Sequence, residues 1–143
     1  MQSINHFSIS FIISGFLFWF TNSFIACIAA LAAGVLVDID HLFPDYIFHL
    51  QKKRESFSLN HFFTTCEKNL LYKCYLILHA YEWIVLIWVV FAINSKNLLI
   101  LGIAVGLTQH LFLDVITNPV ELRGYSIIYR ALTHFDPKSI LKQ

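Results

Sequence analysis

Histidine and carboxylate side chains border or interrupt the apolar stretches of this sequence in four short groups. Asp and Glu near the centre of a membrane helix cost about 2.5–3.5 kcal/mol each, so such residues are normally paired or functional. Imidazoles and carboxylates together are ligands that suit Zn²⁺, Mn²⁺ or Fe²⁺. The groups are His6, the run from Asp38 to His41, His79 with Glu82, and His110 with Asp114.

The spacing within these groups favours side-chain pairs. His79 and Glu82 are three residues apart and His110 and Asp114 are four apart, so each pair shares a face if the segment is helical. Facing helices that each donate such a pair are one way to build a metal site. Asp40 or Glu82 is expected to orient a ligand imidazole or to act as general base. The expected metal ligands are Asp38, His41, His79, His110 and Asp114.

Four apolar stretches must position these groups. Hydrophobic residues make up 57% of the chain and charged residues 13%, against roughly 25% charged in a soluble domain. A membrane helix needs about 20 apolar residues, which the last two stretches supply and the first two approach. The sequence therefore predicts an all-α integral membrane bundle of about four transmembrane helices in two helical hairpins. We expect one domain, 1–143, with helices at 5–21, 23–38, 75–93 and 97–117, a loop at 39–74 and a tail at 118–143.

Positive charge predicts an orientation for these helices. Of the 10 Lys and Arg residues, all but Lys96 fall in the predicted loop and tail. By the positive-inside rule, the loop and both termini face the cytoplasm, as in a bacterial inner-membrane protein. The histidine and carboxylate groups then reach one membrane leaflet. No Lys or Arg precedes the first apolar stretch, which indicates a retained helix and not a cleaved signal peptide.

The polar loop has features of its own. Apolar and basic residues alternate from Ser56 to Tyr75, which predicts a cytoplasmic loop helix at the membrane interface. His49 and His134 are expected to be solvated or interfacial, while the role of His61 is open. The net charge of +1 gives no reason to expect nucleic acid, so membrane lipid is the expected partner. The three cysteines form no Cys-x-x-Cys pair, which argues against a disulfide framework or a structural zinc site.

The order of the motifs resembles the YdjM-type family of membrane-bound metal-dependent hydrolases. A histidine precedes the first apolar run, the run from Val37 to His41 follows the second, and a His-x-x-x-Asp element lies on a late helix. Val37 stands where the family often has proline, and of its His-Arg-x-x-Thr-His-Ser element only Arg54, Ser58 and His61 are present. The resemblance extends over residues 5–120 and adds His6 to the expected ligands. It carries over His6, Asp38, Asp40, His41, His110 and Asp114.

The resemblance implies metal-dependent hydrolysis of a phosphoester or lipid-linked substrate at the cytoplasmic face. The family's ligands are similar to those of the zinc-dependent phospholipase C group, so zinc is the expected ion, with manganese or iron as alternatives. A non-enzymatic metal or proton relay or transporter stays open, as does a structural anchor. The His-x-x-His-His elements of desaturases, the His-Glu-x-x-His of zinc proteases and the Gly-x-Ser-x-Gly hydrolase elbow are absent.

Overall fold

The chain is all-helical, as its composition predicts. The computed structural model describes residues 3–68 and 70–141, with the backbone alone for residues 3–5. Helix accounts for 73% of the structure, and the described residues form no strand. A π-helical turn, His41–Tyr46, precedes α3, and 3₁₀ turns lie at Leu122–Tyr125 and Pro137–Ser139. The α-helices of the described residues are α1 (Ser3–Thr21), α2 (Phe24–Leu36), α3 (Ile47–Lys53), α4 (Leu59–Glu67), α5 (Tyr81–Ile93), α6 (Leu98–Thr117) and α7 (Ile127–Leu132).

The chain forms two compact units. The hairpin unit contains the residues up to Val37 together with Tyr81–Thr117, and therefore holds α1, α2, α5 and α6. The loop unit contains Asp38–Ala80 and the chain from Asn118 onward, and holds α3, α4 and α7. Residues 142 and 143 of the expected tail lie outside the described residues. The single membrane domain stays a prediction.

Two helical stretches are long and apolar enough to cross a membrane, Phe24–Lys53 and Leu98–Thr117. The first and third apolar stretches form shorter helices, His6–Thr21 and Tyr81–Ile93. Large apolar side chains lie on the surface of the hairpin unit, among them Phe20, which is 79% exposed. Apolar surface of this extent is typical of a face that contacts lipid or another protein. The structure is thus compatible with a membrane protein.

Side-chain caps fix the helix ends at the two predicted hairpin links. The first N–H groups of a helix have no partner within it and need an acceptor from outside. Ser23 Oγ accepts the N–H of Ala26 at 3.3 Å at the start of α2. Asn97 Oδ1 accepts the N–H of Leu99 at 3.1 Å at the start of α6. Asn22, between α1 and α2, adopts a φ of 49°, a left-handed conformation in which asparagine is enriched.

Small residues allow α2 and α6 to pack closely within the hairpin unit. A Cβ added to Gly102 would lie 2.4 Å from the carbonyl oxygen of Ala26. A Cβ added to Gly106 would lie 2.3 Å from that of Ala30. Pairs of small residues four apart are typical of close helix contacts in membranes. The two backbones can approach each other only because both positions are glycine.

Replacing Gly106 by alanine tests this packing. The Gly106→Ala methyl group must displace backbone, so we expect a loss of about 1–3 kcal/mol in stability and a lower melting temperature in detergent. Gly15→Ala is the matched control, because no atom lies within 4 Å of its added Cβ. Alanine there should leave stability unchanged or raise it by up to about 1 kcal/mol. Equal melting temperatures for the two variants would contradict the close packing.

Candidate metal centres

His110 is held in one tautomer by the backbone of α2. Its Nδ1 lies 2.7 Å from the carbonyl oxygen of Gly34, and both residues belong to the hairpin unit. A carbonyl oxygen only accepts hydrogen bonds, so Nδ1 carries the ring proton. In the neutral ring Nε2 therefore has a lone pair, and it lies 3.4 Å from Oδ2 of Asp114, one turn further along α6.

His6 on α1 completes this group, which we term the hairpin cluster: His6, His110 and Asp114. Its Nε2 lies 3.5 Å from Oδ1 of Asp114, and its ring centroid is 4.6 Å from that of His110. All three side chains are buried, none more than 5% exposed. One ligand atom from each lies within 4.8 Å of the other two. Two imidazoles and one carboxylate in a buried site are a ligand set that suits a divalent metal ion.

The second group lies in the loop unit and is built around Asp40. Its Oδ2 accepts the backbone N–H of Leu78 at 2.7 Å and that of His79 at 3.3 Å. Its Oδ1 lies 2.9 Å from Nδ1 of His79. This contact is an ion-pair distance, and it does not decide which ring nitrogen carries the proton, because Nε2 of His79 also faces a carboxylate, that of Asp38. A carboxylate behind a histidine in this way is the usual support of a metal-ligating imidazole.

Asp38 and His41 lie on the other side of the His79 ring. Oδ1 of Asp38 is 3.4 Å from Nε2 of His79 and 3.8 Å from Nε2 of His41. The two imidazole rings meet edge to face, with centroids 4.8 Å apart. Asp38 and His41 are partly exposed, by 22% and 15% of their side chains. We term Asp38, Asp40, His41 and His79 the loop cluster, in which Oδ1 of Asp38 faces Nε2 of both imidazoles.

Residues 75–79, which precede α5, do not continue the helix. The sequence predicts a helix from residue 75, whereas α5 begins at Tyr81. Buried carboxylates accept hydrogen bonds from the backbone N–H groups of this segment. Oδ1 of Asp45 accepts from Tyr75 at 2.9 Å and from Leu76 at 3.3 Å. Oδ2 of Asp40 accepts from Leu78 and His79. Since these N–H groups have side-chain acceptors, the segment does not require helical hydrogen bonds.

Arg130 on α7 supplies the donors for the same segment. It is fully buried, and its guanidinium donates to the carbonyl oxygens of Leu76, His79 and Gly124 at 2.6, 3.0 and 2.8 Å. The frame of Asp40, Asp45 and Arg130 fixes the backbone that carries His79. Neither Arg130 nor Asp45 was among the residues expected from the sequence, because both act on backbone atoms distant in sequence.

His79 and Glu82 do not share a helix face, which corrects the expectation from their spacing. His79 belongs to the irregular segment that precedes α5 in the loop unit, whereas Glu82 lies half-buried in the first turn of α5 in the hairpin unit. Among the described residues, the groups that could hold a metal do not include Glu82. A catalytic role for Glu82 stays a prediction. For Asp40, the contacts favour positioning of His79.

The remaining histidines divide between buried and exposed positions. His134 is exposed, as expected. His49 is 4% exposed, so the expectation of a solvated or interfacial side chain was wrong. Its burial results from α3, a helix that the polar composition of residues 51–54 did not indicate. Gln109 and Ser10 are a further buried pair that was missed, with Nε2 donating to Oγ at 2.6 Å beside Gly34.

The two cysteines of the loop unit, Cys66 and Cys74, have thiols with raised pKa values. Burial raises the pKa of Cys66 to about 12 from its ordinary value of 9.0. Burial also raises the pKa of Cys74 well above its ordinary range. Because the thiolate is the form that ligates metals and reacts as a nucleophile, neither thiol is suited to either role at neutral pH.

Comparison with known proteins adds no assignment to this geometry. No family model, no curated protein and no solved structure matches the chain.

Substitution of Arg130 tests the frame behind His79. Arg130→Met removes the donors of three buried carbonyl groups, and each acceptor left unsatisfied costs roughly 1–3 kcal/mol, so a loss above about 3 kcal/mol is expected. Arg123→Met is the control, because Arg123 is exposed and contacts Glu121 at the surface. That control should change stability by less than about 1 kcal/mol. Chemical unfolding followed by circular dichroism measures the stability of both variants. Similar unfolding midpoints would contradict the role of Arg130 in holding the backbone that carries His79.

Alkylation kinetics test the state of the two loop-unit thiols. In a Cys27→Ser variant at pH 8, Cys66 and Cys74 are expected to react with iodoacetamide far more slowly in the folded protein than after denaturation, because the raised pKa leaves almost no thiolate. The rate for Cys66 should still be rising with pH above 9. Mass spectrometry of the modified peptides gives both rates. A folded-state rate equal to that of the denatured chain would contradict the burial described here.

Proposed function

We propose that this protein is a membrane-embedded metal-dependent hydrolase that acts on a phosphoester or lipid-linked substrate. The single observation that carries the proposal is the environment of His110. Its Nδ1 is committed to the Gly34 carbonyl, so its Nε2 lone pair meets the Asp114 carboxylate in a buried site. A divalent cation there can be ligated by His6, His110 and Asp114 together, because one ligand atom from each lies within 4.8 Å of the other two.

The proposed topology is a four-helix membrane bundle with both termini at the cytoplasmic face of a bacterial inner membrane. Two stretches have the length and composition for spanning, and α1 and α5 are their partners in the two proposed hairpins. The basic loop and tail support the orientation through the positive-inside rule. α4, with Leu59 and Phe63 exposed, suits the proposed interfacial helix of the loop.

The donor sets of both clusters fit a divalent metal ion such as zinc. The hairpin cluster offers two imidazoles and one carboxylate, a ligand set that leaves a position open in a tetrahedral site. In the loop cluster, one ligand atom each from Asp40, His41 and His79 lies within 4.8 Å of the other two, and Asp38 lies beside both imidazoles. A bound divalent ion supplies Lewis acidity toward a phosphoryl oxygen and makes water a nucleophile near neutral pH.

The residues of the chain itself have distinct proposed tasks. Gly34 and Asp40 hold the imidazoles of His110 and His79 with the lone-pair nitrogen directed away from the support. Asp38 is partly exposed, so it can reach water and hold a proton at its carboxylate. The resemblance to the YdjM-type hydrolases supports the reaction class, through His6, the run from Asp38 to His41, and the His110–Asp114 element.

A proton or metal relay without hydrolysis is the second candidate. The observation in its favour is the Gln109–Ser10 hydrogen bond, which adds buried polar groups to the hairpin unit beyond the cluster. Buried ionisable and polar groups in membrane helices are also the components of proton relays. A relay requires protons on the cluster rings where the hydrolase requires a metal ion, so metal content separates the two.

Elemental mass spectrometry of detergent-purified protein tests the hydrolase proposal. We expect bound zinc, manganese or iron, with the share bound by the hairpin cluster lost in a His110→Ala, Asp114→Ala double variant. His134→Asn is the matched control, because His134 is exposed and asparagine tolerates its φ of 55°. The control should keep its metal and its phosphodiesterase activity toward a chromogenic phosphodiester.

Two results would count against the proposal. Wild-type protein that binds no metal after reconstitution with each of the three ions would exclude the hydrolase and leave the relay. Metal content unchanged in the folded double variant would remove the hairpin cluster from the site. Folding of the variant is checked by its elution from a size-exclusion column and by its helix content.

A further inference from the structure

Outside both clusters, two imidazole rings of the loop unit approach the same carboxylate oxygen. Oε2 of Glu55 lies 3.4 Å from Nε2 of His49 and 3.3 Å from Nε2 of His61. His49 belongs to α3, Glu55 to the link that follows it, and His61 to α4. One ligand atom from each of the three lies within 4.8 Å of the others.

Tyr46 fixes the ring of His61. Its side chain is fully buried, its hydroxyl donates to the carbonyl oxygen of Ser58 at 3.1 Å, and it lies 2.8 Å from Nδ1 of His61. A hydroxyl has one proton, so when Ser58 receives it the tyrosine oxygen accepts from Nδ1 of His61. In the neutral ring Nε2 of His61 is then a lone-pair nitrogen, which lies 3.3 Å from Oε2 of Glu55 and 3.4 Å from the hydroxyl of Thr65. A lone-pair nitrogen beside a carboxylate is an arrangement that can ligate a cation.

His49 is held in the opposite tautomer. Its Nδ1 accepts the backbone N–H of Tyr72 at 3.1 Å, so the proton of the neutral ring is on Nε2 and points toward Glu55. The ring stacks on Tyr46 with an interplanar angle of 11°, which limits its rotation. Ligation of a metal through Nε2 therefore requires the ring proton to move through solvent from Nε2 to Nδ1. That transfer removes the acceptor of the Tyr72 N–H.

We infer that His49, Glu55 and His61 form a further divalent-metal site of the zinc class, whose occupation releases the backbone N–H of Tyr72. The ligand set of two imidazoles and one carboxylate suits such ions. The side chains of Glu55 and His61 are 43% and 39% exposed, so the ion exchanges with solvent. Occupation ties α3 to α4 and loosens the segment at Tyr72, which makes this a site that responds to metal concentration.

Cobalt(II) titration of the full-length protein in detergent tests the inference. Cobalt alone is the probe, and bound cobalt is counted by equilibrium dialysis and by its visible absorption. We expect Glu55→Gln and His61→Ala to bind one equivalent fewer than wild type, and His134→Asn to bind the same number. Both substituted side chains are partly exposed, so the variants should fold, and their melting temperatures verify it. Equal cobalt binding by wild type and the two variants would overturn the site.

Hydrogen exchange measures the coupling to Tyr72 independently. Adding zinc should accelerate exchange of the peptide that contains the Tyr72 amide in wild type, and should have no such effect in Glu55→Gln. Unchanged exchange at Tyr72 with cobalt bound would overturn the proposed tautomer change. The His110→Ala, Asp114→Ala variant should retain the response, so failure of this site and failure of the hydrolase proposal are distinguishable.

Discussion

The hydrogen bond from Nδ1 of His110 to the Gly34 carbonyl determines what the buried polar groups of the hairpin unit can do. It assigns the ring proton and turns the Nε2 lone pair toward Asp114, and the proposed metal site rests on this arrangement. The bond exists because α2 and α6 approach closely over glycine and alanine. A Cβ added to Gly34 would lie 2.4 Å from Nε2 of Gln109, so a side chain at position 34 would disturb the packing beside His110.

In the loop unit, the carboxylate of Asp40 lies beside Nδ1 of His79, where the carbonyl of Gly34 lies beside Nδ1 of His110 in the hairpin unit. Asp40 accepts two backbone N–H groups and lies against Nδ1 of His79, so a single buried side chain contacts the imidazole and holds the chain that carries it. Arg130 supplies the complementary donors. In both units an oxygen lies against Nδ1 of a histidine and a carboxylate lies near its Nε2. The metal proposal assigns Nε2 as the ligand nitrogen, with the other ring nitrogen supported as around metal-ligating histidines.

Much of the fold could be predicted from composition and periodicity alone. Apolar runs and their polar links indicated α1, α2 and α6 to within a few residues, because capping by Ser23 and Asn97 is a local property. The start of α5 could not be predicted, since Asp40, Asp45 and Arg130 replace its helical hydrogen bonds from distant positions in the chain. For the same reason the expectation that His79 and Glu82 share a helix face was wrong, while His110 and Asp114 do share a face of α6.

Nuclear magnetic resonance of the protein with ¹⁵N-labelled histidine and bound ¹¹³Cd²⁺ tests the central claim most directly. The account predicts a one-bond coupling between cadmium and Nε2 of His110, assigned by its loss in His110→Ala, with Nδ1 still protonated. Coupling to Nδ1, or no cadmium coupling and protons on both nitrogens of that ring, would contradict it.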